Sequence, residues 1–271
     1  MIIKKELNKK SQITGFIILG IVLVFVVGLF FIFRNNSSGI PKEKIENFNL
    51  DSFKLFVDSC LEDVSKDSVL LVGFNGGYYN LPEKFNGDYY PSVAFHLYDK
   101  KNLVPLKENV EKEISYYIKD NLDYCFDNFS GFKENGFEVE EGGKKIMTKI
   151  NDNEILINAE IPLSIKKEES SGIFSNFSAK VKPVRLDKIL LLINSIVDEQ
   201  IKDVSEICMD CLTKKSGEYG MEINIFETDD RNEFVYTISD SESNFTGQPY
   251  NFNFAARYDF SECNNAEECF K

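Results

Sequence analysis

Residues 144–165 read KKIMTKINDNEILINAEIPLSI, and the fold class turns on them. In the second arm Ile155, Ile157, Ala159, Ile161, Leu163 and Ile165 take every other position and alternate with mostly polar residues, so one face of an extended segment is apolar. Asn151-Asp152-Asn153 separates that arm from residues 144–150 and has the composition of a hairpin turn. Residues 174–182 read as a third strand.

Outward from this hairpin the period changes. On the N-terminal side residues 50–72 carry Phe53, Val57, Cys60, Val64 and Leu71 at steps of three, four or seven, the spacing of one helix face. Asp51 or Ser52 is the expected cap of that helix. A glycine-rich stretch, Gly73 then Gly76-Gly77, breaks it; lacking the pattern of a phosphate-binding loop, it reads as a turn. A short aromatic strand is expected over 92–98. A second helix over about 106–129 places Val110, Ile114, Tyr117, Leu122, Cys125 and Phe129 on one side. On the C-terminal side a long helix over about 185–207 carries Leu186, Ile189, Ile193, Ile196, Val197, Ile201 and Val204 as one apolar stripe. Strands then return at 221–227 and 233–239 around Asp229-Asp230-Arg231-Asn232. Tyr250, Phe252, Phe254, Ala256, Tyr258 and Phe260 alternate as a last strand. Helices and hairpins segregate along the chain, which predicts an α+β fold of amphipathic helices packed on a largely antiparallel sheet.

The N-terminus is of another kind. Residues 13–33, ITGFIILGIVLVFVVGLFFIF, hold no charge over 21 positions, about 30 Å of helix at 1.5 Å per residue and so the thickness of a bilayer's hydrocarbon core. Lys4, Lys5, Lys9 and Lys10 precede the run, and Arg34 with a neutral Asn-Asn-Ser-Ser-Gly follows. The positive-inside rule then predicts a cytoplasmic tail (1–12), a transmembrane helix (13–33), a linker (34–47) and an extracytoplasmic domain (48–271), with a possible subdivision near residue 130. A cleaved secretory signal is the rival reading, but its apolar region is usually shorter and ends in small residues.

Lys9-Lys10-Ser11-Gln12, set directly before the apolar run, resembles the class III signal of archaeal type IV pilin-like proteins. The resemblance implies cleavage between Ser11 and Gln12 and a helix packed in a filament core. The fifth residue of such a mature chain would be Phe16, where the family usually carries Glu. The whole chain also looks like single-pass exported proteins of small-genome archaea.

All six cysteines lie beyond the apolar run, at Cys60, Cys125, Cys208, Cys211, Cys263 and Cys269, an even count that on the exported side reads as disulfides. Cys60 and Cys125 each fall on a helix stripe, so a bridge between the two helices is the expectation, with two buried thiols as the alternative. Cys263 and Cys269 could close a small C-terminal loop. Cys208-Met209-Asp210-Cys211 has three readings. A redox dithiol wants its first cysteine at a helix N-terminus, whereas here the pair is expected to end a helix. A four-cysteine zinc site would need Cys263 and Cys269. A structural disulfide, local or shared with the C-terminal pair, is the favoured expectation.

Other candidates are bland. Glu140-Glu141 and Asp229-Asp230 are expected at solvated hairpin tips rather than around calcium. His96, the single histidine, is expected packed or at the surface, and multi-histidine metal sites are excluded. N-x-[ST] sequons begin at Asn35, Asn36, Asn128, Asn176 and Asn244. The net charge is −13, with 26 of 31 basic but 43 of 44 acidic side chains beyond residue 34, so a nucleic-acid partner is not expected. No catalytic residue, cofactor or metal is assigned. The expectation is an anchored extracytoplasmic protein that binds, adheres or assembles at the cell envelope, its partners the bilayer through 13–33 and an unidentified protein or glycan outside. A pilin-like subunit and an exported thiol oxidoreductase using Cys208 and Cys211 are the alternatives.

Overall fold

The computed structural model describes residues 50–87 and 92–261. The expectations for the tail, the apolar run at 13–33, the linker, Ser11, Gln12, Cys263 and Cys269 lie outside the described residues. Among the described residues no helix is long and apolar enough to cross a membrane.

Helix α1 (Leu50–Phe74) forms because Phe53, Val57, Cys60, Leu61, Val64, Val69 and Val72 wind onto one buried face. Asp51 and Ser52 lie inside its first turn rather than capping it. It stops at the glycines: Gly76 and Gly77 sit at φ +79° and +93°, and Gly77 N–H donates to the Val72 carbonyl at 2.7 Å. Gly77 also has no room for a side chain, since a Cβ there would lie 2.9 Å from Pro105 Cγ. Helix α2 (Lys107–Phe126) ends three residues before the expected boundary. Asp127, Asn128 and Phe129 all take left-handed backbone angles there, and α3 (Ser130–Glu134) follows. Aromatic packing offsets that conformation: Phe129 stacks on Phe126 at 4.8 Å and lies 5.5 Å from Phe53, which meets Phe132 edge-on at 5.0 Å.

Two short strands and their partner open the first sheet: β1 (Phe85–Asn86), β2 (Val93–Tyr98) and β3 (Lys101–Asn102). The hairpin read from the sequence belongs to a second, four-stranded sheet made of β4 (Glu138–Glu141), β5 (Lys145–Ile150), β6 (Ile155–Lys167) and β7 (Ser170–Val181). In β6 the six alternating apolar residues from Ile155 to Ile165 are all buried. β4 and β5 pair with successive halves of β6, and β7 pairs along its other side. The third strand therefore starts four residues before the expected boundary. Glu140 and Glu141 are not at a hairpin tip but paired with Ser164 and Leu163 inside β4.

After β7, helix α4 (Leu186–Gln200) buries Leu186, Ile189, Ile193, Ile196 and Val197. It ends at Gln200 instead of Ile207, because Asp203 Oδ1 takes the Ser205 N–H at 2.9 Å and turns the chain. Val204 and Ile207 are still buried, off the helix; Val204 is fastened by its carbonyl to the Asp259 N–H at 2.8 Å. Helix α5 (Met209–Tyr219), absent from the sequence expectation, follows. Strands β8 (Glu222–Glu227), β9 (Glu233–Asp240) and β10 (Tyr250–Arg257) complete the first sheet in the order β1-β2-β10-β9-β8, with β3 on β2. Asp229-Asp230 lie in the β8–β9 turn, as expected. Tyr258 and Phe260 are buried as the alternation predicts, but lie past the end of β10.

The chain is thus α+β, and among the described residues all strand pairings are antiparallel except β2 with β10. One apolar core joins the two sheets. Helix α1 serves both: its Phe53 meets Phe174 of β7 at 5.8 Å, and its Val69 carbonyl accepts the Tyr250 hydroxyl of β10 at 3.0 Å.

Candidate functional site

Cys60 and Cys125 are joined, with Cα atoms 5.7 Å apart, so the bridge expected between the first two helices is present. It closes 65 residues and ties α1 to the last turn of α2. Cys60 is only 3% exposed.

The second bridge joins Cys208 to Cys211, Cα to Cα 5.3 Å, and here the structure corrects the sequence reading. The pair does not end a helix but begins one. Cys208 is the N-cap residue of α5, and its Sγ accepts the Cys211 N–H at 3.3 Å, the place usually filled by a serine or aspartate oxygen. Bonded to each other, the two sulfurs are not offered as zinc thiolates, and no three His, Cys, Asp or Glu side chains gather as a metal site among the described residues. Both cysteines are half-buried.

Beneath this corner lies Gln200, the last residue of α4 and 2% exposed. Its Oε1 accepts the Cys208 N–H at 3.4 Å, while its Nε2 has no partner among the described residues. An unanswered buried amide donor costs about 1–3 kcal/mol. Nothing in the sequence singles Gln200 out, because its relation to Cys208 exists only once the chain turns at 201–207.

Next along the chain from α4, residues around Val204 border a cleft of about 410 Å³ at the carboxyl ends of β2 and β10, lined among others by Asp99, Lys100, Asn232, Arg257 and Asp259. Its arginine is already answered: Arg257 pairs with Glu233 at 2.6 Å and with Asp230 at 3.5 Å. Hydrogen bonds from the Ser261 hydroxyl and N–H hold the Asp259 carboxyl below its usual range.

His96 is packed, as one of its two expectations had it. The pairing of β2 with β10 skips it, passing from Phe95–Ala255 to Leu97–Ala256, and its ring lies on the core face, opposite to Val93 and Phe95. The ring stacks on Phe254 at 5.1 Å, and its Nε2 meets the Gly76 carbonyl at 2.8 Å. Burial pushes its pKa down to about 4, so it is neutral at pH 7 and sealed from any surface substrate.

A polar cluster that the sequence reading missed joins Arg185, Asp240, Glu242 and Ser243. The Arg185 guanidinium grips the Asp240 carboxylate with two nitrogens, Nε at 3.0 Å, and reaches Glu242 at 2.8 Å. Ser243 Oγ accepts the Arg185 backbone N–H at 2.7 Å and donates to Asp240. Burial opposes ionisation of Asp240, but hydrogen bonds from Arg185 and Ser243 outweigh it and hold its carboxyl below the usual range. Asn128, Asn176 and Asn244, three of the sequon asparagines, are exposed.

The chain matches no protein-family model, no curated protein and no solved structure.

Proposed function

We propose that this chain is a membrane-anchored extracytoplasmic protein, held by residues 13–33 with its N-terminus in the cytoplasm, whose acidic body serves binding, adhesion or assembly at the cell envelope. The observation that carries this reading is the Cys60–Cys125 bridge across two core helices. Such a bridge belongs to a chain that folds where thiols are not kept reduced. The lysine-flanked apolar run and the exposed sequons agree with it. The partner outside is a protein or a glycan; the excess of carboxylates disfavours nucleic acid and other polyanions.

The test is protease treatment of intact cells with N-terminal sequencing of the protein. External protease is expected to digest residues beyond Arg34, and the intact chain is expected to begin at Met1. Survival of the body in intact cells, with digestion only after lysis, overturns the reading. A chain beginning at Gln12 replaces it with the pilin-like subunit.

A further inference from the structure

The Cys208–Cys211 bridge differs in kind from Cys60–Cys125. It spans three residues rather than 65, so opening it frees no long loop and leaves the core joined. It stands at the N-terminus of an 11-residue helix, where backbone N–H groups favour negative charge. Its Cys208 Sγ already accepts the Cys211 N–H, so a thiolate there would cap α5 better than the neutral sulfur does. Independently, the Gln200 carboxamide is buried against the Cys208 N–H with its own Nε2 donor unanswered among the described residues, a donor of the kind that a negative sulfur accepts from.

We propose that Cys208 and Cys211 form a thiol–disulfide exchange site that oxidises pairs of cysteine thiols on other exported proteins, with Gln200 as a positioning residue. A substrate thiol, having lost its proton to solvent, attacks Cys211 Sγ. The substrate–Cys211 bond forms, the Cys208–Cys211 bond breaks, and the electron pair leaves on Cys208 as the thiolate stabilised by the helix end. The second substrate thiol gives its proton to Cys208 and attacks the substrate sulfur bound to Cys211. Cys211 leaves and takes a proton from solvent. The substrate dithiol is oxidised to a disulfide and the Cys208–Cys211 bridge is reduced to two thiols; a small disulfide such as oxidised glutathione restores it. The chemistry belongs to the folded body, whereas the exported substrate class rests on the anchored reading above.

The test uses the full-length protein in detergent. A synthetic peptide with two cysteines is the substrate, and the disulfides are followed by alkylation and peptide mass mapping. Cys208–Cys211 is expected to be reduced at least tenfold faster than Cys60–Cys125 while the peptide gains its disulfide. With the peptide supplied as its disulfide, the Cys211 thiolate of Cys208→Ser is expected to open that bridge and hold one peptide sulfur as a mixed disulfide, the other leaving as a thiolate. Gln200→Leu is expected to slow the exchange several-fold, with circular dichroism and the Cys60–Cys125 bridge unchanged. Equal resistance of both bridges in the folded protein, or peptide oxidation no faster than with Cys208→Ser, overturns the proposal. These solution outcomes are independent of cell topology, so either inference can fail alone.

Discussion

At the scale of single residues the informative side chains are the buried polar ones, because each carries a cost that the fold must answer. His96 is buried neutral, while in the unfolded chain its imidazole titrates near its ordinary value of about 6.5. Between pH 6.5 and the folded value of about 4 the unfolded chain takes up a proton that the folded chain does not, so stability falls with pH across that window. The full loss is about 3 kcal/mol, complete below the folded value. His96→Phe is expected to lower stability at pH 7, since the Gly76 carbonyl loses its partner, but to flatten this acid limb; an unchanged slope in urea unfolding from pH 7 to 4 would remove His96 as its source. Asp240 acts in a lower window. Its depressed carboxyl stabilises the fold above the ordinary carboxylate value, and that contribution is lost as pH falls through the folded one. Asp240→Asn, which leaves the 7%-exposed Arg185 short of its counter-charge, is expected to cost about 3–5 kcal/mol at pH 7 in the same unfolding measurement.

At the scale of elements, α1 and α2 are held by both packing and covalent closure. In the chain-entropy treatment a 65-residue loop is worth about 4 kcal/mol. The double substitution Cys60→Ala/Cys125→Ala is expected to lower stability by roughly that much in denaturant titration, and a loss under about 1 kcal/mol would mean that helix packing alone suffices. The turn after α4 shows where periodicity misleads. Ile201 and Val204 continue the helix spacing, yet the Asp203–Ser205 hydrogen bond ends the helix, and Val204 is buried from a loop. Spacing reported which residues reach the core but not which backbone carried them there. That one misreading also placed Cys208 at a helix end rather than a helix start.

At the scale of the whole molecule, one apolar core runs from the four-stranded sheet through α1 to the six-stranded sheet. Residues 48–271 accordingly form one unit. Calorimetry of that segment is expected to give a single transition, with calorimetric and van't Hoff enthalpies equal. Two resolved transitions, with limited proteolysis cutting near residue 130, would divide it. The sequence by itself determined the α+β class, the hairpin around residues 151–153 and the helical stripes that carry Cys60 and Cys125, whose bridge it made the expectation and the structure then decided. Each of these follows from a local period or from an apolar stripe on which a cysteine sits. The tertiary structure alone decided the parallel pairing of β2 with β10, the register shift beside His96, the Arg185–Asp240 grip across 55 residues and the place of Cys208 at the head of α5. Those depend on which distant surfaces meet and on a side-chain hydrogen bond that interrupts a favourable stripe, and no period along the chain encodes either.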